Sequence, residues 1–598
     1  MRLKLPYFLG ACQLSWHGSC DQENMQLLER PLVQAAVERG QQLASQLQHW
    51  AEPALQHLRP HVHSMADVVD TRLEGYRPWQ VAALAAVAVL FLVQLTSVAQ
   101  YLLARVQETG VKQCFFTFVK SLPIVRGIVK KQLAGIETKI RAGRKPTAGP
   151  PLLQSLPQEG SSAVDIISRL QAKEAKDVKF SEGRSTVSGT LYMAGREHQK
   201  LLTDAYAMFA HTNPMHSDVF PSVRRMEAEV VGMTASMLGG GPDGDPEVCG
   251  AMTSGGTESI LTAVKASRDY MRSVKGIRQP EMIIADSAHA AFFKAAEYFR
   301  IRIIKVPVGK DYRLSASAVR QAITKNTVLV VASSPCFPHG VIDHVEDIAK
   351  VARRNGVLLH VDACLGGFVL PFARKLGYPI PPFHFAVAGV TSMSVDTHKF
   401  GMAHKGTSVV LYRNKALRRH QYTQITEWTG GLYISPGFAG SRSGALITTA
   451  WASMVHLGES GYLKITDQIL KAAKRFEAGV REIDGLEVTG EPDMCVIGFK
   501  AARKGLDIYK VNDMMSARGW HLNALQFPPS LHMCFTAQHT GVVDDLLQDL
   551  RECVQAVKDD PSPAKEGMAP VYGMASVMPD RSVVAEFLMT YQDVLLSE

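Results

Sequence analysis

From about residue 163 onward the chain repeats one pattern: short apolar runs rich in Val, Ile and Leu alternate with stretches whose apolar residues recur at helical spacing. Met282–Ala285, Arg302–Val308, Thr327–Ala332, Val357–Val361, Val390–Val395 and Thr407–Tyr412 read as strands, with Glu258–Val274, Ala288–Phe299 and Val345–Arg354 as helices between them. This alternation predicts an α/β fold, with a mostly parallel sheet, helices on both faces, and ligands gathered beyond the carboxyl ends of the strands. From about Ala450 the pattern shifts to long helices with a few short strands, Met494–Phe499 among them. That change predicts a large domain over 163–449 and a smaller C-terminal α+β domain over 450–598.

The region before residue 163 is built differently. Pro78 to Ala104 contains no Asp, Glu, Lys or Arg, and Val81–Val93 is apolar throughout. At about 1.5 Å per residue the run is long enough to cross a bilayer as one helix, and Trp79 and Tyr101 lie near its ends, where amphipathic rings favour the headgroups. A buried core helix is the alternative. Between Arg105 and Lys145 ten Lys or Arg stand against Glu108 and Glu137, whereas the fifteen residues before the run hold only Arg72 and Arg77 as basic groups. The positive-inside rule then predicts a lumenal segment 1–77, a transmembrane helix 78–104, and a cytosolic body joined through a basic juxtamembrane segment and linker, 105–162. The first residues lack the apolar core and cleavage site of a signal peptide.

Composition narrows the classes. Hydrophobic residues at 46% and charged residues at 20% place the chain among globular proteins rather than disordered or polytopic membrane proteins. The net charge of +9 suggests nucleic acid until its location is considered: nearly all of it sits between Arg105 and Lys145. Nucleic acid is therefore not an expected partner. The nine cysteines are scattered without a CxxC pair, which argues against a metal site or a disulfide framework and for a reducing compartment.

Three motifs fall where such a sheet places a ligand. Thr253–Ser259 (TSGGTES) opens a helix, where glycines permit close backbone approach and the N-terminus favours an anion such as a phosphate; a Gly-Gly turn is also a common structural start. His360–Cys364 (HVDAC) closes an apolar strand with Asp362, a carboxylate able to keep a pyridine nitrogen protonated or simply to cap a helix. Ser394–Lys399 (SVDTHK) closes another with Lys399, which can form a Schiff base with a carbonyl cofactor if its surroundings lower its pKa, or else lie on the surface. Together, in this order on one α/β chain, they are far more specific than any one alone.

With these motifs in hand the sequence resembles the pyridoxal-phosphate-dependent, aminotransferase-like (fold type I) enzymes, in the branch related to group II decarboxylases, and within it the sphingosine-1-phosphate lyases. The likeness extends to Thr212–Asp218 (TNPMHSD), Asp286–Phe292 (DSAHAAF), Phe337–Asp343 (FPHGVID), Val361–Phe368 (VDACLGGF), Gly440–Arg442 (GSR), Leu525–Ser530 (LQFPPS) and the Tyr572–Ala575 tail. It covers the chain from roughly Phe180 to that tail. The resemblance implies pyridoxal 5'-phosphate on Lys399, Asp362 at the ring nitrogen, His289 stacked on the ring, and Gly255, Gly256, Thr257 and His398 around the cofactor. It implies Tyr192, Asn213, His216 and Lys405 near the substrate phosphate and the bond being broken. It further implies cleavage of the C2–C3 bond of a phosphorylated sphingoid base, a homodimer, and an endoplasmic reticulum membrane location, which suits the apolar run. Two positions depart from the family: Phe400 replaces a tyrosine and His404 a proline. An amino-acid decarboxylase is the nearest rival; it would have no need of the apolar run and would release carbon dioxide rather than an aldehyde. A catalytically inactive membrane scaffold on the same fold is the rival from another class, and it would give no cofactor–lysine absorption band.

Overall fold

The computed structural model describes residues 75–109, 127, 138, 153–178, 184–562 and 581–597. Most of the N-terminal segment, the basic run after the apolar helix and the Tyr572–Ala575 tail lie outside the described residues. By contact density the chain divides into two units, Met1–Thr117 and Phe118–Glu598.

The described part of the first unit is one helix, α1 (Pro78–Thr109), of 32 residues. It contains the apolar run, and side chains such as Leu90, Phe91 and Val87 stand well over half exposed. Among the described residues no helix is long and apolar enough to cross a membrane.

The second unit is built on a seven-stranded sheet: β1 (Cys249–Thr253), β2 (Glu281–Ala285), β3 (Arg302–Val306), β4 (Thr327–Ser333), β5 (Leu358–Asp362), β6 (Ser392–Val395) and β7 (Ser408–Tyr412), in the order β1-β7-β6-β5-β4-β2-β3. Strands β3, β2, β4, β5 and β6 run parallel, as the alternating pattern requires, while β7 is antiparallel to both β6 and β1. Six of these strands were legible. Edge strand β1 was not, because CGAMT is short and only its last two residues are buried. Helices α2 (Gly256–Lys275) and α3 (Ala290–Phe299) pack on one face with Met282, Ile284, Val331 and Val410. The other face, carrying Ile283, Val330, Leu359 and Val361, is covered by helix α4 (Val345–Arg354) and by the helix Pro221–Met237, against which packs α5 (Gly444–Arg481), interrupted at Gly458. The same core continues into a four-stranded antiparallel sheet of β10 (Leu486–Val488), β11 (Val496–Ala501), β12 (Asn523–Leu525) and β13 (Ser530–Cys534). A small hairpin pairs β8 (Thr423–Ile425) with β9 (Tyr433–Ser435).

Three loops at the carboxyl edge of the large sheet are brought together by this topology. Strand β1 ends at Thr253 opposite Ser408, where β7 begins. The turn into α2 therefore lies beside the β6–β7 loop that carries Lys399. Buried hydroxyls fasten the two: Thr253 to Ser259 at 2.6 Å, Ser259 to Ser408 at 2.8 Å, and Ser408 to the carbonyl of Val395 at 3.0 Å.

Candidate active site

Strands β5 and β6 pair His360 with Ser392 and Asp362 with Ser394. Alternation along a strand puts all four side chains on one face, and they form a relay. Ser394 donates to Oδ1 of Asp362 at 3.1 Å, so its oxygen is free to accept from Nε2–H of His360 at 3.1 Å. Nδ1 of His360 then accepts from Ser392 at 2.9 Å. Burial pushes the His360 pKa down to about 4 and keeps the ring neutral. Asp362 takes a further bond on Oδ1 from the N–H of Cys364, at 3.1 Å. Burial acts to raise its pKa, but His289, Cys364 and His360 together hold it below the ordinary carboxylate value. Asp362 is thus a buried, ionised carboxylate whose assigned bonds both fall on Oδ1, with Oδ2 left for a cationic partner such as a protonated ring nitrogen.

Lys399 lies in the loop after β6, with Nζ 2.9 Å from Oδ2 of Asp396. Burial disfavours its charge, yet Asp396, with Cys364 and Asp362 behind it, raises its pKa above the usual lysine value. Its surroundings do not lower its pKa, because a carboxylate within hydrogen-bonding distance outweighs desolvation. His398 accepts the N–H groups of Gly406 and Thr407 on Nδ1, at 3.3 and 3.1 Å, which leaves the proton on Nε2 facing Asp396 at 3.7 Å. This pinning closes the loop on itself and brings Lys405 back over the ring of Tyr192, 4.6 Å from its centroid. Burial and the charge of Lys399 lower the pKa of Lys405.

Opposite them, α2 begins at Gly256 without a side-chain cap, so its first N–H groups are free to meet an anion. Gly256 could be nothing larger: a Cβ would sit 2.8 Å from both oxygens of Asp396 and from Sγ of Cys364. At Gly255 a Cβ would come within 3.3 Å of His398. Thr257 is exposed on the first turn. His289 caps α3, its Nδ1 accepting from the N–H of Ala291 at 3.2 Å, and is exposed with Nε2 outward. Tyr192 comes from an extended arm bonded to the small sheet through Gly189 and Ser188, which meet Cys534. Burial and the neighbouring Cys534 and Cys495 raise its pKa well above the ordinary value. Phe400, where the family has tyrosine, is buried and meets the edge of Tyr192 at 5.0 Å.

Asn213 and His216 form a separate cluster. Asn213 donates to Ser441 at 3.0 Å and accepts from the N–H of Arg442 at 3.2 Å, while His216 is exposed one turn later. Arg442 is engaged on Glu227 through two bonds of 2.6 and 2.8 Å. Ser441 and Arg442 line a cavity of about 190 Å³ together with Thr253, Ser254, Glu258 and Gly406, so this cluster opens toward the α2 turn.

The site thus gathers Lys399, Asp362, His289, His398, Gly255 and Gly256 at one edge, with Tyr192 and Lys405 beside them. An ionised buried carboxylate, a lysine on a strand-end loop and a glycine cradle at a helix N-terminus fit pyridoxal 5'-phosphate in its ring nitrogen, its aldehyde and its phosphate respectively. Sequence reasoning overlooked Asp396 and the Ser392–His360–Ser394 relay. The signals were present: an acid three residues before Lys399, and polar residues at alternate positions on two adjacent strands. Tyr192 and Cys534, far apart in sequence, carried no such signal.

Residues 152–502 match the pyridoxal-dependent decarboxylase conserved domain. Fold and site together define a pyridoxal-phosphate-dependent enzyme of that class. The chain is 48% identical over 533 residues to a sphingosine-1-phosphate lyase of Arabidopsis thaliana, covering 88% of this chain and 96% of the relative. It is 39% identical over 559 residues to sphingosine-1-phosphate lyase 1 of Rattus norvegicus, covering 91% and 95%. The solved sphingosine-1-phosphate lyase of Burkholderia pseudomallei superposes with a TM-score of 0.67 at 40% identity, over 73% of this chain and all of that one. The chain belongs to the sphingosine-1-phosphate lyase family. A glutamate decarboxylase of Lactobacillus brevis, at 19% identity and a TM-score of 0.58, shares the fold.

Proposed function

We propose that the protein cleaves the C2–C3 bond of phosphorylated sphingoid bases, giving phosphoethanolamine and a long-chain aldehyde. The observation that carries this reading is identity of 48% and 39% to sphingosine-1-phosphate lyases over 88% and 91% of this chain. When bound, pyridoxal 5'-phosphate supplies an electron sink for the charge left on C2.

The chain's own groups take the remaining roles. Lys399 offers the amine that holds the cofactor, Asp362 the carboxylate that keeps the ring nitrogen protonated, and His289 an imidazole against the ring face. Gly255, Gly256 and Thr257 hold the cofactor phosphate, with His398 beside the cofactor. Lys405, whose pKa is lowered by burial and by Lys399, and Tyr192 beneath it are suited to take and return the C3 hydroxyl proton. Asn213, bonded to Ser441 and Arg442 of the cavity wall, and His216 one turn on orient the substrate phosphate. Phe400 and His404 adjust the loop without removing any of these groups.

The reading includes a large cofactor domain over 163–449 and a small domain over 450–598. It also includes a single transmembrane helix at 78–104, with the N-terminus lumenal and the catalytic body on the cytosolic face of the endoplasmic reticulum, and a homodimer. The charge-free run of Pro78–Ala104 and the ten basic residues after it support the anchor and its orientation. A membrane location suits a substrate with a long alkyl chain.

The test is product analysis. Protein incubated with pyridoxal 5'-phosphate and a phosphorylated sphingoid base is expected to yield equal amounts of phosphoethanolamine and aldehyde by mass spectrometry. Carbon dioxide from amino acids with no aldehyde would replace the lyase reading with a decarboxylase.

A further inference from the structure

Asp396 follows β6 on the same strand face as Ser392 and Ser394, and its side chain is only 1% exposed. Oδ2 meets Lys399 at 2.9 Å, and Oδ1 is buried with no hydrogen-bond partner. Gly256 at the start of α2 packs against this carboxylate, where a Cβ would lie 2.8 Å from both oxygens. So enclosed, a carboxylate depends on its single cation, because a lone buried charge is costly. The other ionisable groups facing Lys399 are Asp362 and Cys364 from the end of β5, His398 and Lys405 from its own loop, Tyr192 from the arm, and Cys534 from β13. Among the described residues Asp396 is the carboxylate paired with Nζ, at 2.9 Å.

We propose that Asp396 is a positioning residue that docks Lys399 as an ammonium ion whenever the lysine is not bonded to the cofactor. This rests on Lys399 being the cofactor lysine. When a substrate amine takes its place, the carbon–nitrogen bond to Lys399 breaks as the one to the substrate forms. The substrate ammonium gives up two protons, keeping one on its new protonated imine, and Nζ of Lys399 gains two as it passes from protonated imine to ammonium, so charge is conserved and Asp396 stays ionised. The docked ammonium keeps its protons for the return step, held at Oδ2 of Asp396. Burial working alone would have favoured a neutral lysine, and the raised pKa of Lys399 has Asp396 as its largest supporting cause.

The test uses the full chain stripped of cofactor and treated with an amine-acylating reagent across a pH series. Labelling of Lys399 is followed by peptide mass spectrometry, with exposed Lys504 as an internal reference. The midpoint for Lys399 in the unaltered protein is expected above that of Lys504. Asp396→Asn is expected to lower the midpoint by at least one unit, a gain of about tenfold in labelling at any pH below both midpoints, while Asp396→Glu, which keeps the charge, stays near the original. A midpoint in the unaltered protein at or below that of Lys504 would overturn the proposal without reliance on any variant. So would an Asp396→Asn midpoint that does not move. Borohydride reduction of the loaded protein, followed by mapping of the modified lysine, tests the Lys399 assignment separately.

Discussion

Lys399→Ala is expected to have two separable effects. Turnover and borohydride trapping of the cofactor are lost, since only a primary amine can hold it. The second effect falls on stability and follows from Asp396, which has a 1% exposed side chain, one oxygen without a partner, and Lys399 as the cation on the other. Breaking a fully buried pair costs about 3–5 kcal/mol, and an exposed pair contributes about 0–1 kcal/mol. Here one partner is buried and the other is 26% exposed, so an intermediate loss of roughly 2–3 kcal/mol is expected in the cofactor-free protein. The Lys399 pKa is raised in the fold, so the stability it contributes is fully present below the unfolded lysine value of about 10.4 and is lost only as pH rises through the higher folded value. The deficit is therefore constant from neutral pH to about 10. Thermal melting at a fixed scan rate measures it, with the double variant Lys399→Ala/Asp396→Asn recovering most of the loss because no charge is stranded. Equal melting of Lys399→Ala and the original protein, with no gain from the second substitution, would refute the reasoning.

Asp362→Asn is expected to cut turnover by two orders of magnitude or more at saturating pyridoxal 5'-phosphate, by analogy with the loss of one preorganised electrostatic group; full rescue by added cofactor would contradict its role at the ring nitrogen. Gly256→Ala forces a methyl to within 2.8 Å of Asp396 and Cys364, and is expected to cost about 1–3 kcal/mol and weaken cofactor binding in a spectral titration. Burial holds His339, His360, His532 and His539 near pKa 4; with folded values below the unfolded one, their stability is intact above about pH 6.5 and is lost as pH falls toward 4. Asp343, raised to about 6 by burial, acts in the opposite sense, since its contribution is lost as pH rises from about 3.9 through 6, but it is one group against five, His384 being held near 4 by burial as well. The melting temperature is therefore expected to drop between pH 6.5 and 4, less steeply in His360→Gln. Full-length protein is expected to stay with membranes through alkaline extraction, and a chain lacking residues 1–105 to be released yet cleave detergent-dispersed substrate; extraction of the full-length protein would remove the anchor from the reading.

The sheet's middle was written in the sequence because its strands are buried on both faces. MIIA, TVLVVA and VLLHV can satisfy that environment in no other way, and apolar runs of this length between amphipathic helices admit few alternatives. Helix α4 matched its predicted limits for the same reason, with Val345, Ile348, Ala349 and Ala352 making one buried stripe. Strand β1 escaped because an edge strand buries little, and the reversal of β7 escaped because an apolar run carries no sign of its direction. The motif residues at strand ends were likewise legible: Gly255, Gly256, Asp362 and Lys399 stand at positions where the chain must leave the sheet. What the tertiary structure alone decided is how these groups act on one another. The register of β5 against β6 aligned His360 with Ser392 and Asp362 with Ser394, and so fixed the carboxylate. The return of the β6–β7 loop set Asp396 against Lys399 and so fixed the upward direction of its pKa shift. A titration depends on distances of a few ångströms between residues, and those distances exist only once the strands are paired.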